Sequence, residues 1–407
     1  MTLVQTVKQS IHSDLLDAGI KSKGVRRAVI LAAGRGNRLH ALTGDAPKCL
    51  TEIGGEPILE RALRALASLG ITEAVVVIGY MGAMVRGRIG SRFDGIDILY
   101  VEAPDYATTN NIRSLWDARD YLDQDLVLLE ADVAFDAAVV GTLLAQSGSS
   151  AAVAPYEPPL SGTVVRRNGA GQATSFVLGA EQGLQFVTKD TFKTVNIYVL
   201  REQLLREQFL PRLSNAIAAG RVNEYYETIL RDCVADPRAE VDIAAVDVSA
   251  SRWSEIDDDR DLDAAEFLFL DRDAQYDRVQ QLHGAYWRYG FVDHSYLYNM
   301  HFPPPDMLEV FHSHLREIVT NYPVAQKEIA RLVANWTGAN PDRLAVANGA
   351  AELIKILGNR FEQRVTIPTP SFNEYEEVIE ADGLNRFALD ANSFELDVEA
   401  FADSAIN

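Results

Sequence analysis

The feature that most constrains this chain is an apolar run at residues 27–33, RAVILAA, which stops at Gly34. The run is short and contains β-branched residues, and it lacks the polar positions that a half-exposed strand or a surface helix would show. Such a run is typical of a strand buried on both faces of a parallel sheet. A glycine directly after it allows a tight turn. The sequence therefore predicts an α/β sheet whose first strand lies here.

The pattern that follows alternates between strands and helices. After Gly55 the leucines recur with helical spacing, Pro57 is predicted at the first helical position, and Gly70 ends the helix. Alternation of this kind predicts a doubly wound α/β sheet that binds ligands at the carboxyl ends of its strands. Further strands are predicted at 74–80, 96–102, 125–130, 151–156, 194–200 and 241–248.

Charge limits the classes of function. The chain of 407 residues has a formal net charge of −20, which argues against a nucleic-acid-binding protein because phosphate backbones are bound by clustered lysine and arginine. Cys49 and Cys233 are too far apart to form a disulfide framework, which favours the cytoplasm. The first 24 residues alternate polar and apolar positions, so we predict a helical extension and neither a signal peptide nor a membrane span.

A glycine-rich turn with arginines follows the first strand, in the segment LAAGRGNRL at 31–39. Glycines let backbone N–H groups approach an anion, and an arginine can bind phosphate oxygens in two places at once. The segment departs from the dinucleotide fingerprint, because Leu39 replaces its third glycine, and it lacks the GK[ST] of a P-loop. The predicted phosphate contacts are Leu31, Ala32, Ala33, Gly34, Arg35 and Gly36, with Arg38 beyond them.

Two further pieces come in a fixed order after this turn. They are PKCL at 47–50 and GGEPIL at 54–59. Together with the turn they resemble the sugar-nucleotide and choline-phosphate nucleotidyltransferase superfamily over residues 25–262. The resemblance implies a Rossmann-like mixed sheet, a triphosphate held and activated by Lys48 and Arg38, and a base pocket that includes Gly79 and Tyr80.

Two acidic segments are candidates for a metal site. Joining a phosphate to an α-phosphate brings anions together, and Mg²⁺ with one or two carboxylates is a common means of neutralising them. Asp132 follows the strand at 125–130, and Asp257 lies in the late motif WSEIDD. The resemblance implies that these two aspartates share the metal ion. Asp258 and Asp259 are interpreted as a solvated turn.

Two motifs point to the acceptor. TTNNIRSL at 108–115 and KTVNIY at 193–198 resemble the choline-phosphate branch of the superfamily more than the sugar-1-phosphate branch. The resemblance implies a small zwitterion bound by Tyr106, Asn110, Asn111, Lys193 and Asn196. The two asparagines could equally be helix N-caps. Candidates to hold a cationic head group are Tyr106, Trp116, Tyr156, Tyr225 and Tyr226, with Glu224 or Glu227.

The C-terminal part, residues 298–407, has a different character. Tyr322-Pro323, the segment at 336–354 and the segment at 367–375 resemble the N-terminal portion of a class I/II aminotransferase of the histidinol-phosphate type. The resemblance implies an incomplete fold type I domain that would bind pyridoxal phosphate (PLP) only if completed, and it allows a homodimer. No transaminase activity is expected. The matching PLP-site positions are Gly349, Ala350, Ala351 and Phe372.

The sequence thus predicts a Mg²⁺-dependent cytidylyltransferase that joins CTP to a small aminoalkyl phosphonate or phosphate, with 2-aminoethylphosphonate favoured. Three alternatives stay open: a phosphocholine cytidylyltransferase, a sugar-1-phosphate nucleotidyltransferase, and a silent scaffolding subunit. The predicted segments are an N-terminal extension at 1–24, the nucleotidyltransferase-like domain at 25–262, a linker at 263–297 and the aminotransferase-like part at 298–407.

Overall fold

The structure is a computed structural model with two compact units, Met1–Ser295 and Tyr296–Asn407. The predicted N-terminal extension lies outside the described residues, apart from Gly24. No helix in the described part of the chain is both long and apolar enough to cross a membrane. The structure describes residues 24–36, 46–156, 160–183, 186–187, 189–239, 241–282, 286–289, 294, 299, 301–358, 360, 364–379 and 383–406.

The described residues of the N-terminal unit contain one large sheet and two small ones. Predicted strand positions are confirmed within a few residues. In chain order the strands are β1 Arg27–Ala32, β2 Glu52–Ile53, β3 Glu56–Pro57, β4 Glu73–Ile78, β5 Arg92–Phe93, β6 Ile96–Glu102, β7 Leu126–Glu130, β8 Val133–Phe135, β9 Ser149–Pro155, β10 Val164–Arg167, β11 Ala173–Val177, β12 Phe192–Leu200, β13 Ile243–Asp247 and β14 Trp253–Glu255.

The large sheet is mixed, as the resemblance implied. Its centre is parallel, in the order β7-β1-β4-β6, and β12 adds an antiparallel neighbour on the far side of β7. Ala32 is level with Ile78 on β4, and Leu31 is level with Glu130 on β7. The carboxyl ends of these three strands therefore meet at one edge, which is where an open α/β sheet binds its ligands.

Helices cover both faces of this sheet. Alternate residues of β1 enter two separate apolar clusters, Ala28 and Ile30 on one face and Val29 and Leu31 on the other. This is the doubly wound arrangement that the alternating pattern predicted. The helices are α1 Ile58–Ser68, α2 Gly82–Ile89, α3 Asn111–Asp117, α4 Ala137–Leu144, α5 Glu202–Leu204, α6 Leu210–Ala218, α7 Glu227–Ala235, α8 Asp259–Phe269 and α9 Arg272–Leu282, with a π-helical turn at Leu205–Phe209.

Helix α1 shows how its sequence selects a face. Leu59, Leu63 and Leu66 are buried, at the i, i+4, i+7 spacing of one helical side. Pro57 differs from its prediction: it is the N-cap of α1 and not its first helical residue, because its extended backbone still belongs to β3.

The C-terminal unit has its own small sheet. Two parallel strands, β15 (Val365–Thr369) and β16 (Leu384–Ala388), pair along their whole length. Large apolar side chains lie on its described surface, with Trp336 87% and Tyr322 100% exposed. Its helices are α10 Pro305–Ser313, α11 Leu315–Thr320, α12 Gln326–Thr337, α13 Gly349–Gly358, α14 Glu374–Glu377 and α15 Val398–Ile406.

Helices α10 and α11 follow one another along the chain with a single residue between them. The division lies at His314, whose backbone leaves the helical region with φ −113° and ψ 13°. Its ring Nδ1 lies 3.1 Å from the carbonyl oxygen of Val310, so the side chain in its Nδ1–H form binds the end of α10.

Leu63 and Leu99 provide a matched test of the core. We expect Leu63→Ala to lower the free energy of unfolding by about 2–5 kcal/mol, because the fully buried side chain leaves a cavity against the sheet. Leu99→Ala makes the same chemical change at a side chain that is 38% exposed and should cost less than about 1 kcal/mol. Urea unfolding followed by circular dichroism measures both. Equal losses would show that α1 does not pack on the sheet as described.

Candidate active site

A cavity of about 190 Å³ opens where β1 and β7 end. Its volume is suited to a small ligand. Its wall carries groups of both charge signs, because Lys48, Glu130 and Asp132 line it. Most of the residues predicted for phosphate and acceptor binding contribute to its wall. The lining residues are Leu31, Ala32, Ala33, Gly34, Lys48, Cys49, Tyr106, Thr109, Asn110, Asn111, Ser114, Glu130, Ala131, Asp132 and Tyr225.

Lys48 is the central cation of this site. Its Nζ lies 2.7 Å from Oδ2 of Asp132 and 2.8 Å from Oδ1 of Asp257. Burial by itself would lower the pKa of Lys48, but the two aspartates outweigh burial and raise that pKa above its ordinary value. Lys48 is therefore charged at every physiological pH. The three residues, predicted from separate motifs 84 and 209 positions apart along the chain, meet at one point.

A small antiparallel pairing brings the two aspartates together. Strand β8 follows Asp132 directly, and it pairs with β14, which directly precedes the Ile256-Asp257 segment. The backbone N–H of Ile256 donates to the carbonyl oxygen of Asp132 at 2.9 Å. The late acidic motif is thus fixed to the end of β7 by main-chain hydrogen bonds.

Gly36 makes room for Lys48. Its φ is +65°, a left-handed conformation that favours glycine, and a Cβ there would lie 2.8 Å from Cβ of Lys48. Any other residue at this position would have both a strained backbone and a Cβ too close to Lys48. Arg35, the neighbouring cation, lies over the ring of Tyr80 at 5.4 Å and does not line the cavity. Arg38, predicted as a second catalytic cation, lies outside the described residues.

Gly79 and Tyr80 lie at the end of β4, next to the phosphate turn. A Cβ on Gly79 would lie 2.7 Å from the Tyr106 ring and 2.8 Å from the carbonyl oxygen of Ala33. The Tyr80 N–H donates to that same carbonyl at 3.1 Å. Glycine at 79 therefore allows Tyr106 to pack against the strand ends and to line the cavity.

The two asparagines predicted for the acceptor begin helix α3. The side chain of Asn110 accepts from the backbone N–H of Asn111, so it is an N-cap as well as a cavity residue. The Asn111 amide connects two elements: its Nδ2 donates to Glu130 at 3.2 Å, and its Oδ1 accepts from the backbone of Tyr226 at 2.9 Å. The N-cap interpretation is therefore confirmed for Asn110 and wrong for Asn111, which is the first helical residue, and acceptor binding stays a prediction for both.

Lys193 and Asn196 lie behind the cavity and not in its lining. Lys193 is buried, with Nζ 2.9 Å from Oε2 of Glu255 and 2.6 Å from the carbonyl oxygen of Thr194. Asn196 has φ +59° at an irregularity in the pairing of β12 with β9, and its Nδ2 donates to Glu255 at 3.3 Å. The two predicted residues thus meet at one carboxylate, which the sequence analysis did not single out.

Three glutamates form a buried acidic group beside the two aspartates. Burial raises the pKa of Glu130 well above its ordinary value, and the neighbouring Asp132, Glu227 and Glu255 raise it further. Burial also raises the pKa of Glu227 to about 7, and of Glu255, whose shift Lys193 opposes. Oε2 of Glu227 is buried and has no hydrogen-bond partner among the described residues. Burial and mutual repulsion therefore favour the neutral form of these carboxyl groups until a cation compensates them.

Of the other aromatic and acidic residues predicted to hold a cationic head group, some line the cavity and others do not. Tyr225 lines the cavity together with Tyr106. Tyr226 is buried with its ring edge-on to Tyr198, and Trp116 lies under the guanidinium of Arg119. Glu224 forms an ion pair with Arg221 at 2.6 Å, and Tyr156 is not part of the lining.

The prediction of a solvated turn at Asp258 and Asp259 is wrong. Asp258 is the N-cap of α8, where its side chain accepts from the backbone of Arg260 and Asp261, and Asp261 completes a capping box. Asp259 is the first helical residue. Free N–H groups at the start of a helix attract carboxylates, so the acidic run marks a helix start, and α8 extends beyond residue 263 into the predicted linker.

A family model agrees with this geometry. Residues 28–195 match the MobA-like NTP transferase domain, a range that includes the phosphate turn, Lys48 and Asp132. The chain contains a nucleotidyltransferase domain. The mixed α/β fold of the described residues agrees with this match.

Relatives and a solved structure extend the comparison. The chain is 42% identical over 378 residues, 92% of its length, to a CMP-5'-(3-aminopropyl)phosphonate synthase of Streptomyces rubellomurinus, and covers 60% of that protein. It is 35% identical over 107 residues, 26% of its length and 42% of the relative's, to a 2-aminoethylphosphonate cytidylyltransferase of Lancefieldella rimae. UDP-glucose pyrophosphorylase in complex with UDP-glucose shares the fold of the nucleotidyltransferase domain, with a TM-score of 0.51 and 12% identity over 62% of this chain and 99% of that one.

The residues predicted for a PLP site lie in the other unit. Gly349, Ala350 and Ala351 begin α13, and Phe372 is exposed between β15 and α14. Lys355 lies on α13 with Nζ 3.8 Å from a carboxylate oxygen of Glu374. The aminotransferase resemblance of this unit stays a prediction.

Glu227 gives a pH-dependent prediction for the nucleotidyltransferase domain. Its pKa is about 7 when folded and ordinary, near 4.3, when unfolded, so between these values the folded state binds more protons and stability falls as pH rises. We expect Glu227→Gln to exceed the parent in free energy of unfolding by up to about 3 kcal/mol at pH 8, and by less at pH 5.5.

Urea unfolding at the two pH values measures this gain. Glu224→Gln is the control, because Arg221 lowers the pKa of Glu224 and the carboxylate is ionised in both states across this range. Its effect should not change with pH. A Glu227→Gln effect that is equally independent of pH would contradict the assigned burial of the charge.

Proposed function

We propose that the nucleotidyltransferase domain transfers a cytidylyl group from CTP to a small aminoalkyl phosphonate and releases pyrophosphate. The observation that carries the proposal is the position of Lys48, a charged lysine that two aspartates hold at the wall of the strand-end cavity. A buried cation beside a glycine turn is suited to stabilise charge on a phosphoryl group in the transition state. Without it, this acidic edge would repel a triphosphate.

The choice of substrates rests on the relatives. One relative is named as a synthase of CMP-5'-(3-aminopropyl)phosphonate, and another is named as a cytidylyltransferase of 2-aminoethylphosphonate. The chain spans about 60% of the length of the Streptomyces relative. The cavity, about 190 Å³, is of a size for an acceptor of this class. We favour 2-aminoethylphosphonate or its propyl homologue over phosphocholine and over sugar 1-phosphates.

The reaction follows from the charges of the two substrates. A phosphonate oxygen of the acceptor attacks the α-phosphorus of CTP, the new P–O bond forms, and the bond from the α-phosphorus to the bridging oxygen breaks as pyrophosphate leaves. The attacking oxygen is already ionised near neutral pH, so the step needs no general base. Lys48 stabilises the charge that develops on the α-phosphoryl oxygens, and the backbone of Ala33–Gly36 holds the remaining phosphates.

The residues at this edge also fit a magnesium ion. Oδ1 of Asp132 is buried and has no hydrogen-bond partner among the described residues, while Asp257 lies within reach of the same lysine. Two carboxylates are what Mg²⁺ takes from a protein when substrate phosphates and water supply its other ligands. A bound Mg²⁺ would neutralise phosphate charge. Asp132 and Asp257 are the proposed ligands.

For the acceptor we propose contacts with Tyr106, Asn110 and Asn111, which line the cavity. Lys193 and Asn196 would act through Glu255, which they hold in place. The buried cysteines, Cys49 and Cys233, have pKa values that burial raises to about 12, so neither is a nucleophile at physiological pH. Two buried free thiols agree with a cytoplasmic location.

For the C-terminal unit we propose only an aminotransferase-like origin. The described lysines there, Lys327 and Lys355, lie on helices, and Lys355 faces Glu374. These residues do not supply a Schiff-base site, so we assign no transamination step and no PLP chemistry to the described residues. A homodimer through this unit stays a proposal that rests on the same resemblance.

Replacing Lys48 tests the catalytic assignment. We expect Lys48→Met to lower kcat/KM for CTP by at least about 10²–10³-fold, because a charge-stabilising donor is removed. Pyrophosphate release is measured with CTP and 2-aminoethylphosphonate, and UTP serves as the competing nucleotide. Lys327→Ala removes an exposed lysine of the other unit and should leave turnover unchanged. Turnover of Lys48→Met within tenfold of the parent, with folding verified by thermal unfolding, would exclude this role.

The metal assignment is tested by direct binding. Mn²⁺ replaces Mg²⁺ as a paramagnetic probe, and bound Mn²⁺ is counted by electron paramagnetic resonance in the presence of CTP. We expect Asp132→Asn to weaken binding at least tenfold because a carboxylate ligand becomes an amide. Asp97→Asn is the control at an exposed carboxylate on β6. If both variants bind Mn²⁺ like the parent, Asp132 is not a ligand.

A further inference from the structure

Glu130 occupies a place in the cavity that the catalytic step does not use. It is the last residue of β7, two positions before Asp132, and it lines the cavity. Among the described residues its carboxylate accepts a hydrogen bond from the Asn111 amide at 3.2 Å, and no lysine or arginine pairs with it. A shielded carboxylate with one neutral partner is costly, and a cation that enters the cavity would relieve that cost.

The surroundings strengthen this requirement for a cation. Glu227 is only 3% exposed, its Oε2 has no hydrogen-bond partner among the described residues, and its charge acts on Glu130. Glu255 adds a third carboxylate, although Lys193 pairs with it. The cavity wall at Glu130 therefore lies among further carboxyl groups, and the same wall carries the Lys48 cation.

We propose that Glu130 binds the primary ammonium group of the acceptor and selects an aminoalkyl chain against a quaternary ammonium. This inference rests on the proposed function and names the cationic half of its substrate. The acceptor would place its phosphonate toward Lys48 and its ammonium toward Glu130. Lys48 and Glu130 line the same cavity, so one short zwitterion can contact both.

The polar character of the wall selects the kind of cation. An ammonium group has three N–H donors, and the carboxylate of Glu130 and the hydroxyls of Thr109 and Ser114 in the same lining can accept from them. A trimethylammonium group has no such donors and is held best by several aromatic faces. Only two aromatic side chains belong to the described lining. Tyr106 packs against Gly79, and Tyr225 is 51% exposed.

The test compares three acceptors with two variants of the full chain. The acceptors are 2-aminoethylphosphonate, its amine-free analogue propylphosphonate, and phosphocholine. Glu130→Gln keeps the size of the side chain and removes its charge. Glu102→Gln is the matched control, because Glu102 also ends a parallel strand, β6, but is exposed and pairs with Arg86. Pyrophosphate release gives kcat/KM, and calorimetry gives the affinity of 2-aminoethylphosphonate without turnover.

We expect the parent and Glu102→Gln to prefer 2-aminoethylphosphonate to propylphosphonate by about 100-fold or more, and to use phosphocholine poorly. In Glu130→Gln the preference for the amine should fall at least tenfold, mainly through a higher KM for 2-aminoethylphosphonate, with a much smaller change on propylphosphonate. Equal losses on both phosphonates, or an unchanged preference, would overturn the assignment of Glu130. If no acceptor yields pyrophosphate, the proposed function fails, and an affinity for 2-aminoethylphosphonate that Glu130→Gln lowers tenfold would still support the ammonium site.

Discussion

The ion pairs of Lys48 with Asp132 and Asp257 are the interaction on which the site depends. A lysine that is shielded from water is stable only if anions compensate its charge, and here two carboxylates do so at 2.7 and 2.8 Å. The same contacts bring the late acidic motif to the end of β7. They also leave Oδ1 of Asp132 without a partner among the described residues. One cluster therefore sets both the charge of the proposed catalytic lysine and the local architecture.

Around this cluster, buried carboxyl groups lower the stability of the fold, because their charges are shielded from water and repel one another. Burial raises the pKa values of Glu130, Glu227 and Glu255, and neighbouring carboxylates, Asp132 among them, raise each of the three further. A fold selected for stability alone would gain from apolar side chains at these positions. An acidic pocket of this kind is useful when the ligand supplies positive charge, and a zwitterion or a divalent cation does so. The electrostatic cost of these buried carboxyl groups is thus consistent with a binding function.

Glycines and hydrogen-bonding asparagines position the cluster. Gly36 and Gly79 allow two close approaches that a Cβ would prevent, one to Lys48 and one to Tyr106. Asn111 connects Glu130 on β7 to the backbone at Tyr226, so it fixes the start of α3 against the segment that leads into α7. These contacts hold side chains from distant parts of the sequence at one sheet edge.

Much of this arrangement could be predicted from residues that are near each other in the sequence. The apolar run before Gly34, the leucine spacing of α1 and the strand ending at Glu130 depend on local periodicity, and they place the predicted elements within a few residues of the observed ones. Lys48, Asp132 and Asp257 were each predicted from a motif. A lysine and two aspartates are the residue types expected at a phosphate and metal site, and residue types can be read directly from a sequence.

The tertiary structure decided which of those residues meet. Sequence spacing does not show that Lys193 and Asn196 share Glu255, because Glu255 lies 59 residues beyond Asn196 and meets them only in the folded chain. Nor does it single out Glu130, since a charged residue at a strand end is common and only its shielded position beside other carboxylates makes it unusual. The sequence by itself determined the α/β fold class and the residue types of the proposed phosphate turn. Burial and long-range contacts, which depend on the folded chain, determined the electrostatics of the proposed acceptor site.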